Sequence, residues 1–176
     1  MKSLLLLPLL ALVLGGCCPK NAKTIVNEDV EVIETTETTP TGGTPAQAAY
    51  MVAAFEKTAC YGKCPVYQVK FYSDGKVTWY GRLYVERMGW HEARVESAIL
   101  KSIHDKALEA DFLDFESEYP TEARIVDLPS TITYVRIGDM EKQVADTHDA
   151  PEKLKTFEAF LEGLINGLDW RPSAEK

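Results

Sequence analysis

Residues Thr58–Gly81 read TACYGKCPVYQVKFYSDGKVTWYG, and this stretch decides the fold. After Pro65, residues 66–72 and 77–85 are β-branched or aromatic in rough alternation, the period of strands with one buried face. Between them Ser73-Asp74-Gly75-Lys76 supplies residues that tolerate positive φ, so the two runs predict a hairpin. Tyr67, Val69 and Phe71 share one face, and Val77, Trp79 and Leu83 are expected on the same side across the turn. Upstream, residues 50–58 read as a first strand. Downstream, residues 90–95 read as a fourth.

From Ser97 the period changes. Ile99, Leu100, Ile103, Ala107 and Leu108 recur at helical spacing, with Lys101, Asp105, Lys106 and Glu109 on the other side, which predicts a helix to Ala110. Residues 111–121 (DFLDFESEYPT) are an acidic connection in which Phe112, Leu113 and Phe115 are expected to plug the core. Pro129 precedes another β-rich run at residues 131–137, and Gly138-Asp139 turns it into residues 142–147. The last element is an amphipathic helix with the stripe Leu154, Phe157, Leu161, Leu164, Ile165 and Leu168. Asp149 is expected to cap it, with Pro151 in its first turn and Glu152 completing a capping box; Gly167 and Pro172 flank its end. Strands in meanders followed by helices predict an α+β fold: an antiparallel sheet of about six strands in the order ββββαββα, with two helices packed on one face. There is no internal repeat, and residues 47–172 suit one domain with a single core, followed by a tail at 173–176.

The first 16 residues do not belong to that domain. Lys2 gives them a short positive start, and Leu4–Leu14 is an apolar core broken only by Pro8, a run too short to span a bilayer as an ordinary helix. Leu14-Gly15-Gly16-Cys17 resembles a bacterial lipoprotein signal. The resemblance implies cleavage before Cys17, which then carries diacylglycerol on sulfur and an acylated amine, since two or more chains are needed for stable anchoring. The competing reading is a plain secretory signal that happens to end near a cysteine. Cys18 is either a spare thiol or a partner for an intermolecular disulfide. The residue after Cys17 is not aspartate, so the expected location is the outer membrane of a bacterial envelope. Residues 17–46 form a tether, dominated from Glu34 to Pro45 by ETTETTPTGGTP. About 28 flexible residues give an r.m.s. span of roughly 30 Å.

The chain has 19 Lys+Arg against 27 Asp+Glu, net −8; removing Lys2 with the signal leaves 18 against 27, net −9. That balance argues against nucleic acid, and leaves anchoring to the acyl chains rather than to surface charge. An exported chain meets oxidising conditions, which bears on its cysteines.

Cys60 and Cys64 carry the sharpest chemical signal. One reading is a disulfide closing a five-residue ring, a restraint of about 2 kcal/mol on the unfolded chain. A redox-active dithiol is usually C-x-x-C at a helix N-terminus, whereas here three residues intervene and a strand follows. A metal site needs further ligands, and the histidines on offer are His91, His104 and His148, of which His104 lies beside an apolar helix face. The acidic residues Asp111, Asp114, Glu116 and Glu118 lack the calcium-loop pattern and read as a solvated connection. Ser130, Asp127 and His148 can be drawn as a triad, but no nucleophile, phosphate-loop, dinucleotide or zinc-protease motif accompanies them. No catalytic residue, metal or cofactor is therefore expected. Tyr61, Gly62 and Lys63, held between the cysteines, are the candidate binding loop. Trp79, Tyr80, Tyr84 and Trp90 are either an exposed aromatic patch with Tyr61 or part of the core.

The run C-Y-G-K-C-P-V-Y from Cys60, continuing as V-x-F-Y-x-D-G, resembles the signature of a bacterial domain-of-unknown-function family, number 6438, whose members read C-F-G-x-C-P-x-Y there. Asp127-Leu128-Pro129-Ser130-Thr131-Ile132-Thr133 is similar to its D-x-P-x-T-x-I segment. Asp146–Pro151 is similar to its D-x-x-x-A-P segment, with Asp149 where glycine is common. The resemblance covers residues 50–170. It implies an envelope domain, often lipid-anchored, and brings no activity. Together these readings lead to the expectation of a membrane-anchored envelope lipoprotein, a non-enzymatic domain that binds an envelope protein or cell-wall partner. The alternative is a periplasmic thiol-redox or metal-handling protein using Cys60 and Cys64.

Overall fold

The computed structural model describes residues 48–123 and 125–174. The expected signal segment, Cys17, Cys18 and the tether lie outside them. In chain order the elements are β1 (Met51–Lys57), β2 (Val66–Tyr72), β3 (Lys76–Leu83), β4 (Gly89–Arg94), α1 (Ser97–Glu109), a 3-10 turn (Phe112–Asp114), β5 (Glu118–Tyr119), β6 (Thr131–Ile137), β7 (Met140–Asp146), α2 (Glu152–Asn166) and β8 (Arg171–Pro172). One sheet takes the order β5-β7-β6-β1-β2-β3-β4-β8. Its pairings are antiparallel except for parallel β5–β7. The fold is α+β with two helices, but the sheet has eight strands rather than the expected six. Both additions are two-residue strands at the sheet's edges, one in the acidic connection and one after α2. Two residues cannot display a period, so they leave no pattern in a sequence.

The hairpin forms where the turn residues place it. Gly75 takes φ 82°, and the Asp74 carboxylate accepts from the Lys76 amide at 3.0 Å. Alternation then sorts side chains between two faces. Phe55 lies opposite Val69, and Val69 opposite Trp79, while Ala53 lies opposite Phe71 and Val135. These residues, with Tyr67, Val77 and Val144, share one buried cluster with Ile103 and Ala107 of α1 and Leu154, Phe157, Leu161 and Ile165 of α2. The helices thus cover one face of the sheet. Phe112 and Phe115 plug this core as expected, but Leu113 stays half-buried. No helix among the described residues is long and apolar enough to cross a membrane.

Three local expectations need correction. Leu83 is 49% exposed rather than beside Trp79. Between Val66 and Tyr67 the register shifts, so that Val66 faces Leu83 and Tyr67 faces Gly81. The bulge inserts Arg82 as an extra residue on β3, and its neighbours no longer follow the alternation. Asp149 does not cap α2: the cap position is Pro151, with no side-chain bond, and Asp149 has φ 62°. An N-cap residue is extended, so a left-handed residue two positions earlier cannot fill that place. Its carboxylate instead meets His148 Nδ1 at 2.6 Å. Finally, the aromatic residues of the hairpin are neither one patch nor all core. Trp79 stacks on Tyr67 in the core with ring centroids 4.4 Å apart, whereas Tyr80 and Trp90 stack at 4.5 Å on the opposite face.

Candidate functional site

Four connections lie at the end of the sheet where β1 finishes: residues 58–65, 84–88, 120–130 and 147–151. The first holds the cysteine ring. Cys60 and Cys64 are joined as a disulfide with Cα atoms 5.8 Å apart, and the Gly62 amide donates to the Cys60 carbonyl at 2.9 Å. This ring is stitched to the long 120–130 connection. The Tyr61 amide donates to the Asp127 carbonyl at 3.1 Å, the Thr58 amide to the Ser130 carbonyl at 3.0 Å, and the Ser130 amide to Thr58 Oγ1 at 2.7 Å. Two loops far apart in sequence are thereby held as one surface.

That end of the sheet concentrates exposed apolar side chains. Of eleven large hydrophobic side chains exposed among the described residues, seven belong to this end: Tyr61, Leu83, Tyr84, Met88, Ile125, Val126 and Leu128. Tyr61 at 91% and Val126 at 77% are the most exposed of all. Scattered single hydrophobics are ordinary on a protein surface, but a concentration on adjoining loops marks a place where something docks. Tyr61, Gly62 and Lys63 are all exposed, so the loop singled out in the sequence is available. Sequence reasoning missed its partner loop. In the sequence, Asp127 to Thr133 carry a family pattern, a residue pair of the discarded triad and the start of a β-rich run, and nothing local in them points to the cysteine ring.

Beneath these loops lies a polar cluster that the sequence also hid. Glu158 of α2 is only 6% exposed and accepts from Thr133 Oγ1 at 3.0 Å, with the Asp146 charge at the end of β7 acting on it. Burial, then the neighbouring Asp146 charge, pushes the Glu158 carboxyl up to about 8. Burial likewise raises Asp146, against the pull of Lys155 and Lys57. Lys57 donates to Thr131 Oγ1 at 3.0 Å and lies 3.9 Å from Glu162, which accepts from the Tyr67 hydroxyl at 3.3 Å. Desolvation and the Glu162 charge hold the Tyr67 phenol well above its ordinary range.

The residues that could be drawn as a triad do not form one: the Ser130 hydroxyl contacts Thr147 Oγ1 at 2.6 Å, and His148 Nδ1 faces Asp149. His91 sits on β4 and His104 on α1, so neither joins the cysteine pair. No group of three or more His, Cys, Asp or Glu among the described residues is arranged to hold a metal. In the acidic connection, Asp111 is engaged by Lys153 at 2.6 Å.

The geometry makes the disulfide a local staple. Replacing both Cys60 and Cys64 by serine should leave the domain folded, because a ring this small contributes about 2 kcal/mol against a typical domain stability of about 5–15 kcal/mol. Hydrogen exchange should lose protection at Tyr61–Lys63 and at the Asp127 junction, with β2 and β3 unchanged. Global unfolding of the double variant would show that the pair holds up the whole domain.

A family model described as "Domain of unknown function (DUF6438)" matches residues 52–165, more than half of the chain. No curated protein matches it.

Proposed function

The chain belongs to the DUF6438 family, which carries no assigned activity, and we propose that it is an envelope lipoprotein whose domain binds a protein or cell-wall partner through its loop end, without catalysis. The observation that carries this reading is the gathering of Tyr61, Val126, Ile125 and Leu128 on two loops stitched together by the Tyr61–Asp127 and Thr58–Ser130 hydrogen bonds. Loops fixed on a rigid sheet present such side chains with little ordering left to lose on binding. The anchor rests on Leu14-Gly15-Gly16-Cys17: acyl chains on Cys17 hold the protein at the outer membrane, and residues 18–46 let the domain reach from it.

One experiment tests both halves. Photo-crosslinking residues placed at position 61 and, on the far end of the sheet, at position 140 are activated in intact envelopes. Position 61 should yield a discrete adduct that disappears in Val126→Asp, and position 140 should not. The Cys17→Ser form should leave the membrane fraction or remain uncleaved. Equal adducts from both positions would remove the loop-end reading, and a mature Cys17→Ser protein still on membranes would remove the anchor.

A further inference from the structure

We infer that the sheet face turned away from the helices carries a second binding site where β3, β4 and β8 lie side by side. Its ligand is a cell-wall glycopeptide, a sugar joined to a short peptide with free carboxylate and amine groups. Val77, Trp79 and Ala93 belong to the buried cluster on the helix side. Alternation therefore turns Lys76, Thr78 and Tyr80 to the opposite face, with Arg94, Glu92 and Trp90 across from them. Arg171 of β8 follows on that face, paired with Glu92.

One row of this face is charged. Lys76 stands directly opposite Arg94, and like charges so placed repel, so the fold gains nothing from the pairing. The chain is acidic, with 27 Asp+Glu against 19 Lys+Arg, yet a cavity of about 460 Å³ gathers Lys76, Arg94 and Arg171 beside Glu92 and Asp169. Three cations with two acids suit a ligand that carries both signs, with carboxylates in excess. The bonds already made leave these groups accessible. Arg94 gives one of its five N–H donors to the Asp74 carbonyl at 3.3 Å. Arg171 and Asp169 meet at 3.6 Å, with side chains 80% and 88% exposed.

Further along the same face the chemistry turns aromatic. Tyr80 and Trp90 stack there with centroids 4.5 Å apart, and Tyr80 is 37% exposed. The C–H side of a sugar ring packs on such a π surface, while a Tyr O–H and a Trp N–H can bond its hydroxyls. Thr78 lies between the two rows and is only 7% exposed although it faces away from the helices, so the side chains around it wall a groove. From the Tyr80–Trp90 row to the Lys76–Arg94 row is four residues of strand, about 13 Å. That spacing takes a sugar at one row and the charged groups of its attached peptide at the other.

The site shares no residue with the loop end, and takes from that reading only the location in the envelope. Its cavity falls within the range of small-ligand sites, about 300–1,000 Å³.

Amide and indole NMR of the full chain in detergent micelles, titrated with a soluble disaccharide–peptide released from peptidoglycan, tests the site. The Tyr80, Glu92 and Arg94 amides and the Trp90 indole should move together and saturate. A double Lys76→Gln, Arg94→Gln variant should bind at least about tenfold more weakly, because charged bonds to carboxylate are lost. The disaccharide without peptide, the peptide without sugar, and inorganic phosphate should each fall short of the glycopeptide by a similar factor. No movement at millimolar ligand, unchanged affinity in the double variant, or equal binding of any of those three probes would overturn the site. Movement confined to Tyr61 and Val126 would also overturn it, while supporting the loop-end reading. The crosslink at position 61 can fail with the Trp90 shifts intact, so the two readings fail separately.

Discussion

Phe55→Ala should be the most damaging single truncation in the domain, at about 3–5 kcal/mol. Phe55 is fully buried in β1, with β6 on one side and β2 on the other. Its neighbours across the sheet are Val69 and Thr133, and its ring lies 6.2 Å from that of Tyr67. Because both flanking strands are held by ladder hydrogen bonds, they cannot close around the missing ring. The cost is therefore transfer free energy plus a residual cavity. A loss of that size is a large part of a typical domain's stability of about 5–15 kcal/mol. Urea denaturation should show a lower midpoint at an unchanged slope. Met140→Ala, exposed at the start of β7, should move the midpoint by no more than about 0.5 kcal/mol equivalent. A Phe55→Ala midpoint as close to wild type as that would mean that the ring is not the centre of the core.

Gly81→Ala should rank second, for a different physical reason. A Cβ at Gly81 would lie 2.8 Å from Trp79 Nε1 and from Val85 Cγ2, and closer still to the Arg87 carbonyl oxygen. That carbonyl accepts the Trp79 indole N–H at 2.9 Å. One methyl therefore pushes the 84–88 connection off the indole and leaves a buried donor unpaired. Overpacking and a lost buried bond each cost about 1–3 kcal/mol. The disturbance should spread along the aromatic row, since Trp79 also packs 5.7 Å from Trp170. A lower melting temperature with red-shifted tryptophan emission is expected. Gly163→Ala on α2, where a new Cβ meets nothing within 4 Å, should instead stabilise by about 0.5–1 kcal/mol. If both alanine variants melt with the wild type, the close approach at Gly81 is not tight.

What the sequence made legible follows from the range of each interaction. The six longer strands and both helices were readable because alternation and the 3.6 period are written within 6 to 15 consecutive residues. The cysteine ring was readable for the same reason, being five residues long. The two edge strands were not, because β5 and β8 exist through neighbours brought beside them by the rest of the sheet. The mistaken cap shows a local rule overridden. Asp149 fits a capping box by spacing, yet the turn out of β7 places it in a left-handed conformation. The site was half readable. Tyr61, Gly62 and Lys63 could be named from their cysteine brackets, but Ile125, Val126 and Leu128 join them only through hydrogen bonds spanning more than 60 residues. Glu158 stands beside the stripe residue Phe157 and carries no sequence signal of its burial. Nothing short of the packed sheet brings Asp146 and Thr133 against it.

The position of β1 also sets an order of events in time. It is the first strand to be synthesised, but Ala53 pairs with Val135, about 80 residues further on, and the sheet cannot close before β6 is available. Until then β1 has a hairpin-linked neighbour only on its β2 side, and its other edge must wait unpaired. A nascent chain with this topology gains most of its stability in one late step, after its last third has emerged. On the proposed export route, such a delay would keep the chain threadable while it is in transit.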